Sequence, residues 1–109
     1  MKKKAGVIPL TDDPTRPLPP KHAAIVVRKL WREGKVTWRE HAARRKDERD
    51  FDTLEVEALV LNGVVIGVSG REGNCWRYEI EDRQQTKRLV LAIRRERLEI
   101  VTVTRLGRP

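Results

Sequence analysis

Apolar positions change their rhythm once along this chain, near Asn62. Before that point they recur every three or four residues, and after it they alternate or run together. Ala23, Val26, Val27, Leu30 and Trp31 predict a first helix from Lys21 to Glu33, with Gly34 as its stop signal. Thr37 and Glu40 have capping-box spacing, which predicts a second helix from Trp38 to Glu48 or Arg49. Asp52 and Glu55 repeat that logic ahead of a third helix, Thr53 to Leu61. Asn62-Gly63 then suits a left-handed C-terminal turn.

The remainder reads as strands. Val64 to Ser69 is rich in β-branched residues, and Gly70 to Asn74 carries turn chemistry. Cys75 to Glu81 alternates Trp76, Tyr78 and Ile80 with charged residues. Asp82 to Thr86 is a polar connection. Arg88 to Arg95 is apolar on both faces, as a central strand is, and Glu96-Arg97 turns into Leu98 to Thr104. Such short connections predict antiparallel pairing. The expected class is α+β: N-terminal helices followed by a four-stranded antiparallel meander, with the helices on one face. Residues 20–109 form the single domain, and residues 1–19, with Pro9, Pro14, Pro17 and Pro19, read as an extended, mobile basic arm.

Charge sharpens this picture. The formal net charge is +8, which favours polyanions, of which nucleic acid is the commonest. It is unevenly spread. Lys21 to Arg49 carries a net +6, Asp50 to Asn62 a net −4 and Gly63 to Pro109 a net +4. No run approaches the roughly 18 apolar residues of a membrane span. The basic start, Met1 to Leu10, is broken by Pro9 and does not read as a signal peptide. The single Cys75 cannot form an internal disulfide and suggests a reducing, cytoplasmic setting. It is read as a half-buried strand residue rather than a nucleophile.

The second helix carries the candidate chemistry. Residues four apart on a helix lie above one another, so His41, Arg45 and Arg49 form one stripe, with Trp38 a turn earlier and Arg44 and Lys46 beside it. Guanidinium groups grip phosphate with paired donors, and an imidazole moves a proton near neutral pH. A solvated histidine, or a ring docked beside Trp38, fits the same spacing. Metal chemistry is not expected, because His22, His41 and Cys75 lack the spacing of a zinc site. No glycine-rich phosphate loop precedes a helix, so no cofactor is expected either.

The stretch from His41-Ala42 through Arg45, Arg49 and Phe51 resembles the opening signature of domain-of-unknown-function family 4258. Val56 to Val60, Asn62-Gly63-Val64, Trp76-Arg77-Tyr78 and Ile100 to Val103 continue the likeness, which covers about 41–105. Asp50 stands where the family commonly has glycine. Members of that family are similar to small ribonuclease toxins of the RelE and MqsR type, often encoded beside a zinc-finger antitoxin. The resemblance therefore implies a RelE/barnase-like toxin fold, RNA and an antitoxin protein as partners, and metal-independent RNA cleavage. It implies His41 as base or acid, Arg45 and Arg49 as phosphate clamps, and Tyr78 or Thr102 as a second hydroxyl. Lys35, Arg39, Arg44, Lys46, Arg77, Arg94 and Arg105 would contact the RNA backbone. Tyr78 also fits the core and Thr102 a strand ladder. The rival readings are a non-catalytic RNA- or protein-binding module and an inactive structural relative.

Overall fold

The structure, a computed structural model, describes residues 16–48, 51–73, 75–94 and 96–106. Among them, helices α1 (Pro20–Arg32), α2 (Glu40–Asp47) and α3 (Thr53–Asn62) accompany strands β1 (Val36–Trp38), β2 (Val64–Glu72), β3 (Cys75–Glu81), β4 (Lys87–Ile93) and β5 (Leu98–Arg105). Residues 1–15 of the expected arm, and Arg49 and Asp50 of the expected stripe, lie outside the described residues.

α1 opens on Pro19-Pro20, where a fixed φ suits the first turn and a missing donor costs nothing. Its buried stripe is Ala23, Val26, Val27 and Leu30. It stops at Gly34, whose φ of +75° few other residues adopt readily. α3 has the capping box that Asp52 and Glu55 predict. The Glu55 N–H donates to Asp52 Oδ1 at 2.8 Å, and the Asp52 N–H to Glu55 Oε1 at 3.2 Å. At its other end the Arg28 guanidinium donates to the carbonyls of Val60 at 3.2 Å and Gly63 at 3.1 Å. That contact satisfies groups every helix terminus leaves open. Gly63 itself is not left-handed, as its φ is −76°. Space explains the glycine instead: a Cβ there would meet Ile80 Cγ2 at 2.7 Å and the Leu59 carbonyl oxygen at 2.5 Å.

The second helix differs most from its sequence pattern. Thr37 does not cap it. Residues 36–38 form β1, pairing in parallel with β5 in the register Val36↔Leu98 and Trp38↔Ile100. The Thr37 hydroxyl donates to the Leu98 carbonyl at 3.2 Å. α2 therefore begins only at Glu40, behind Arg39, which makes no side-chain capping bond. A partner strand some 60 positions away outcompetes a local capping signal, because pairing satisfies backbone groups the cap would leave to water.

The sheet thus has five strands rather than four, in the order β1-β5-β4-β3-β2. Its last four form the expected antiparallel meander. Tyr78, Ile80, Leu89, Leu91, Ile93, Ile100 and Val103 are buried in one core with Val26, Leu30, Ala42, Phe51, Val56 and Leu59 from the helical half. Leu18, from the expected arm, packs against the same core. Val101 is an extra residue in β5 between the pairs Val90↔Thr102 and Leu91↔Ile100. It joins Val90, Ala92 and Cys75 in a small cluster on the opposite face. There the strands also carry Arg77, Glu79, Glu81, Arg88, Arg94 and Glu99, and no described helix covers them. No described helix is long and apolar enough to cross a membrane.

Candidate nucleic-acid interface

α2 buries Ala42 and exposes His41 and Arg44, with Arg45 and Lys46 half-buried on either side of the buried line. His41 is exposed. Arg44 reaches back one turn to Glu40 at 3.2 Å, an exposed contact of little energetic weight. The other two cations lie against aromatic rings. The Arg45 guanidinium carbon is 5.6 Å from the centroid of Phe51, and that of Arg105 is 4.4 Å from the same ring. Lys46 Nζ is 4.5 Å from the Trp38 ring. Arg105 also meets Glu55 at 3.2 Å, tying the end of β5 to the first turn of α3. His41 and Arg45 lie one turn apart on α2, with His41 exposed and Arg45 half-buried.

The two candidate hydroxyls lie on opposite faces of the sheet. Tyr78 is fully buried on the helix side, and its oxygen accepts the Leu18 N–H at 2.9 Å. Thr102 is half-buried opposite Val90, on the open face.

The open face does bring candidate cations together. Arg39, the residue before α2, forks onto Glu72, with Nη2–Oε1 at 2.9 Å and Nη1–Oε2 at 3.2 Å. Its Nη2 also donates to Glu99 Oε1 at 2.8 Å. Arg94 Nε meets the same Glu99 oxygen at 2.7 Å, and its terminal nitrogen is 3.6 Å from Glu72 Oε1. The cluster is self-reinforcing. Hydrogen bonds from Arg39 hold both glutamates below the ordinary carboxylate range, with the Arg94 charge adding to the effect. Hydrogen bonds to Glu72 and Glu99 in turn raise Arg39 further. Arg77 lies close enough for its charge to act on Glu72. Its guanidinium covers Gly70, where a Cβ would stand 3.2 Å from Nη2. Lys35 pairs with Glu33 at 3.4 Å.

Sequence reasoning missed the acidic half of this arrangement. Glu72 and Glu99 look like ordinary solvent-face residues, and only the register of distant strands reveals that they gather Arg39 and Arg94. Phe51 signals a core residue, with nothing to announce two arginines on its ring. Among the described residues, no three His, Cys, Asp or Glu side chains gather to hold a metal ion. A cleft of about 250 Å³ between α3 and the β3–β4 connection is lined by Glu55, Asn62, Asp82, Arg83 and Lys87, away from His41. No protein family, no curated protein and no solved structure matches the chain.

Proposed function

We propose that this chain is a toxin-like, metal-independent endoribonuclease acting in the cytoplasm and held in check by an antitoxin protein. The observation that carries this reading is the exposed imidazole of His41 on α2, beside Arg44, Arg45 and Lys46 in the most basic part of the chain. In this reaction a ribose 2′-hydroxyl gives its proton to a base and its oxygen attacks the adjacent phosphorus. The bond to the 5′-oxygen breaks, and that oxygen takes up a proton, leaving a 2′,3′-cyclic phosphate and a free 5′-hydroxyl. His41 is the proton carrier, and the neighbouring cations offset the charge that builds on the phosphate oxygens.

The test is incubation of purified protein with a mixed-sequence oligoribonucleotide. Expected are cyclic-phosphate ends, cleavage unaffected by chelator, and loss of cleavage in His41→Ala. Equal cleavage by wild type and His41→Ala rules this reading out. A second reading, a module that binds RNA without cutting it, is favoured by the placement of Tyr78. Its hydroxyl is buried and engaged by Leu18 rather than presented to a leaving group. Binding with no cyclic-phosphate product selects that reading.

A further inference from the structure

We propose that Arg39 and Arg94 on the open sheet face form a binding site for an RNA backbone phosphate, and that Glu72 fills it as an internal stand-in until RNA displaces it. The inference rests on RNA as the ligand and adds where the backbone is gripped.

The geometry of Arg39 is the first argument. Its two terminal nitrogens face the two oxygens of Glu72 at 2.9 and 3.2 Å, the two-pronged presentation that guanidinium offers to phosphate as well as to carboxylate. Arg94 approaches the same Glu72 oxygen at 3.6 Å, so two guanidiniums converge on one anionic group.

The two glutamates play different parts. Glu99 lies on β5, paired on both sides by β1 and β4, and its side chain is 23% exposed. One of its oxygens receives Arg39 Nη2 at 2.8 Å and Arg94 Nε at 2.7 Å, which aims both guanidiniums. Glu72 is the last residue of the edge strand β2, next to Gly73 at φ +62°, and its side chain is 41% exposed. It can swing into water while Glu99 keeps the arginines in place. Glu72 is the more exposed of the two carboxylates, and a phosphate on a polyanion also releases counterions when it binds.

The location fits as well. Arg39 precedes His41 by two residues, so their Cα atoms are at most about 7 Å apart. One arm of the grip therefore springs from the backbone that leads into the helix turn carrying His41.

The experiment measures affinity for a 2′-O-methyl oligoribonucleotide, which cannot be cleaved, by fluorescence anisotropy at fixed salt. Glu72→Gln is expected to bind about fivefold tighter than wild type, the order of removing one ion pair that competes for the cation. Glu99→Gln is expected to bind no tighter than wild type, because the arginines lose their aim. Glu57→Gln, on α3 where the new amide oxygen can still accept the Trp31 indole N–H, controls for bulk charge and is expected to change affinity less than about twofold. Arg39→Gln is expected to bind weaker than wild type. Equal gains in all three glutamate variants overturn the proposal, since bulk charge then explains them. A gain by Glu72→Gln toward inorganic phosphate or poly-glutamate, but not toward the oligonucleotide, overturns the RNA assignment. Unchanged affinity in Glu72→Gln with RNA cleavage intact removes this site alone. The expected pattern of affinities without cleavage of unmodified RNA keeps the site and removes the nuclease. Absence of oligonucleotide binding in every protein removes both.

Discussion

Arg45 and Phe51 lie across the α2–α3 connection from one another, with the guanidinium carbon 5.6 Å from the ring centroid. The arginine that the family resemblance implies as a phosphate clamp thus also closes the edge of the core. Phe51 is 1% exposed, so Phe51→Ala removes a packed ring and should cost about 3–5 kcal/mol in urea unfolding. Arg45→Met should cost about 1 kcal/mol, the order of one cation–aromatic contact. A near-neutral Phe51→Ala would show that the ring does not anchor the helices.

His41 should behave oppositely. Its side chain faces solvent, so His41→Ala should shift stability by less than about 0.5 kcal/mol. If it carries the proton, the cleavage rate should fall about 100-fold or more. Measuring the melting temperature and the rate on the same preparation separates the two effects.

The Arg39–Glu72–Arg94–Glu99 cluster predicts a pH dependence. Arg39 hydrogen bonds hold the Glu72 and Glu99 carboxyls below their ordinary value of 4.5, so the folded chain binds fewer protons than the unfolded chain just below that pH. The stabilisation is complete above pH 4.5 and is lost as the pH falls through the lowered folded values. Glu99→Gln should therefore be less stable than wild type at pH 7, with the gap closing as the pH drops below 4.5. A gap that persists unchanged into strong acid would show that the cluster is not the source.

The two ends of α3 offer a further pair of tests. Asp52→Ala removes a hydrogen-bonded cap and should cost about 1 kcal/mol. Gly63→Ala forces a methyl group into Ile80 and the Leu59 carbonyl and should cost about 1–3 kcal/mol. Thermal melts of the two variants give the comparison.

Thr37 distinguishes strand from cap directly. As a helix cap, Thr37→Val would lose about 1 kcal/mol and shorten α2. As a β1 residue whose hydroxyl only supports the Leu98 carbonyl, it should tolerate valine within about 0.5 kcal/mol, because a β-branched side chain suits a strand. Helix content by circular dichroism should not change.

Much of this fold is legible along the chain. The stripe Ala23-Val26-Val27-Leu30, the capping box at Asp52 and Glu55, and the alternation from Cys75 to Glu81 are local signals with local causes. So is the class of the domain, helices followed by an antiparallel meander, and so is the placement of His41 on a helix, though not which way its ring faces. Helix period, cap chemistry and strand alternation each act over a handful of residues, so a single chain reveals them without its fold. Tertiary structure alone decided the rest. Residues 36–38 became a strand because β5 offered parallel pairing from 62 positions away. Gly63 was selected by the approach of Ile80 rather than by its own backbone. Arg45 turned onto Phe51, and Arg39 and Arg94 met on Glu72 and Glu99. Each of these depends on register between distant segments, which fixes which charges meet, and no local pattern encodes it.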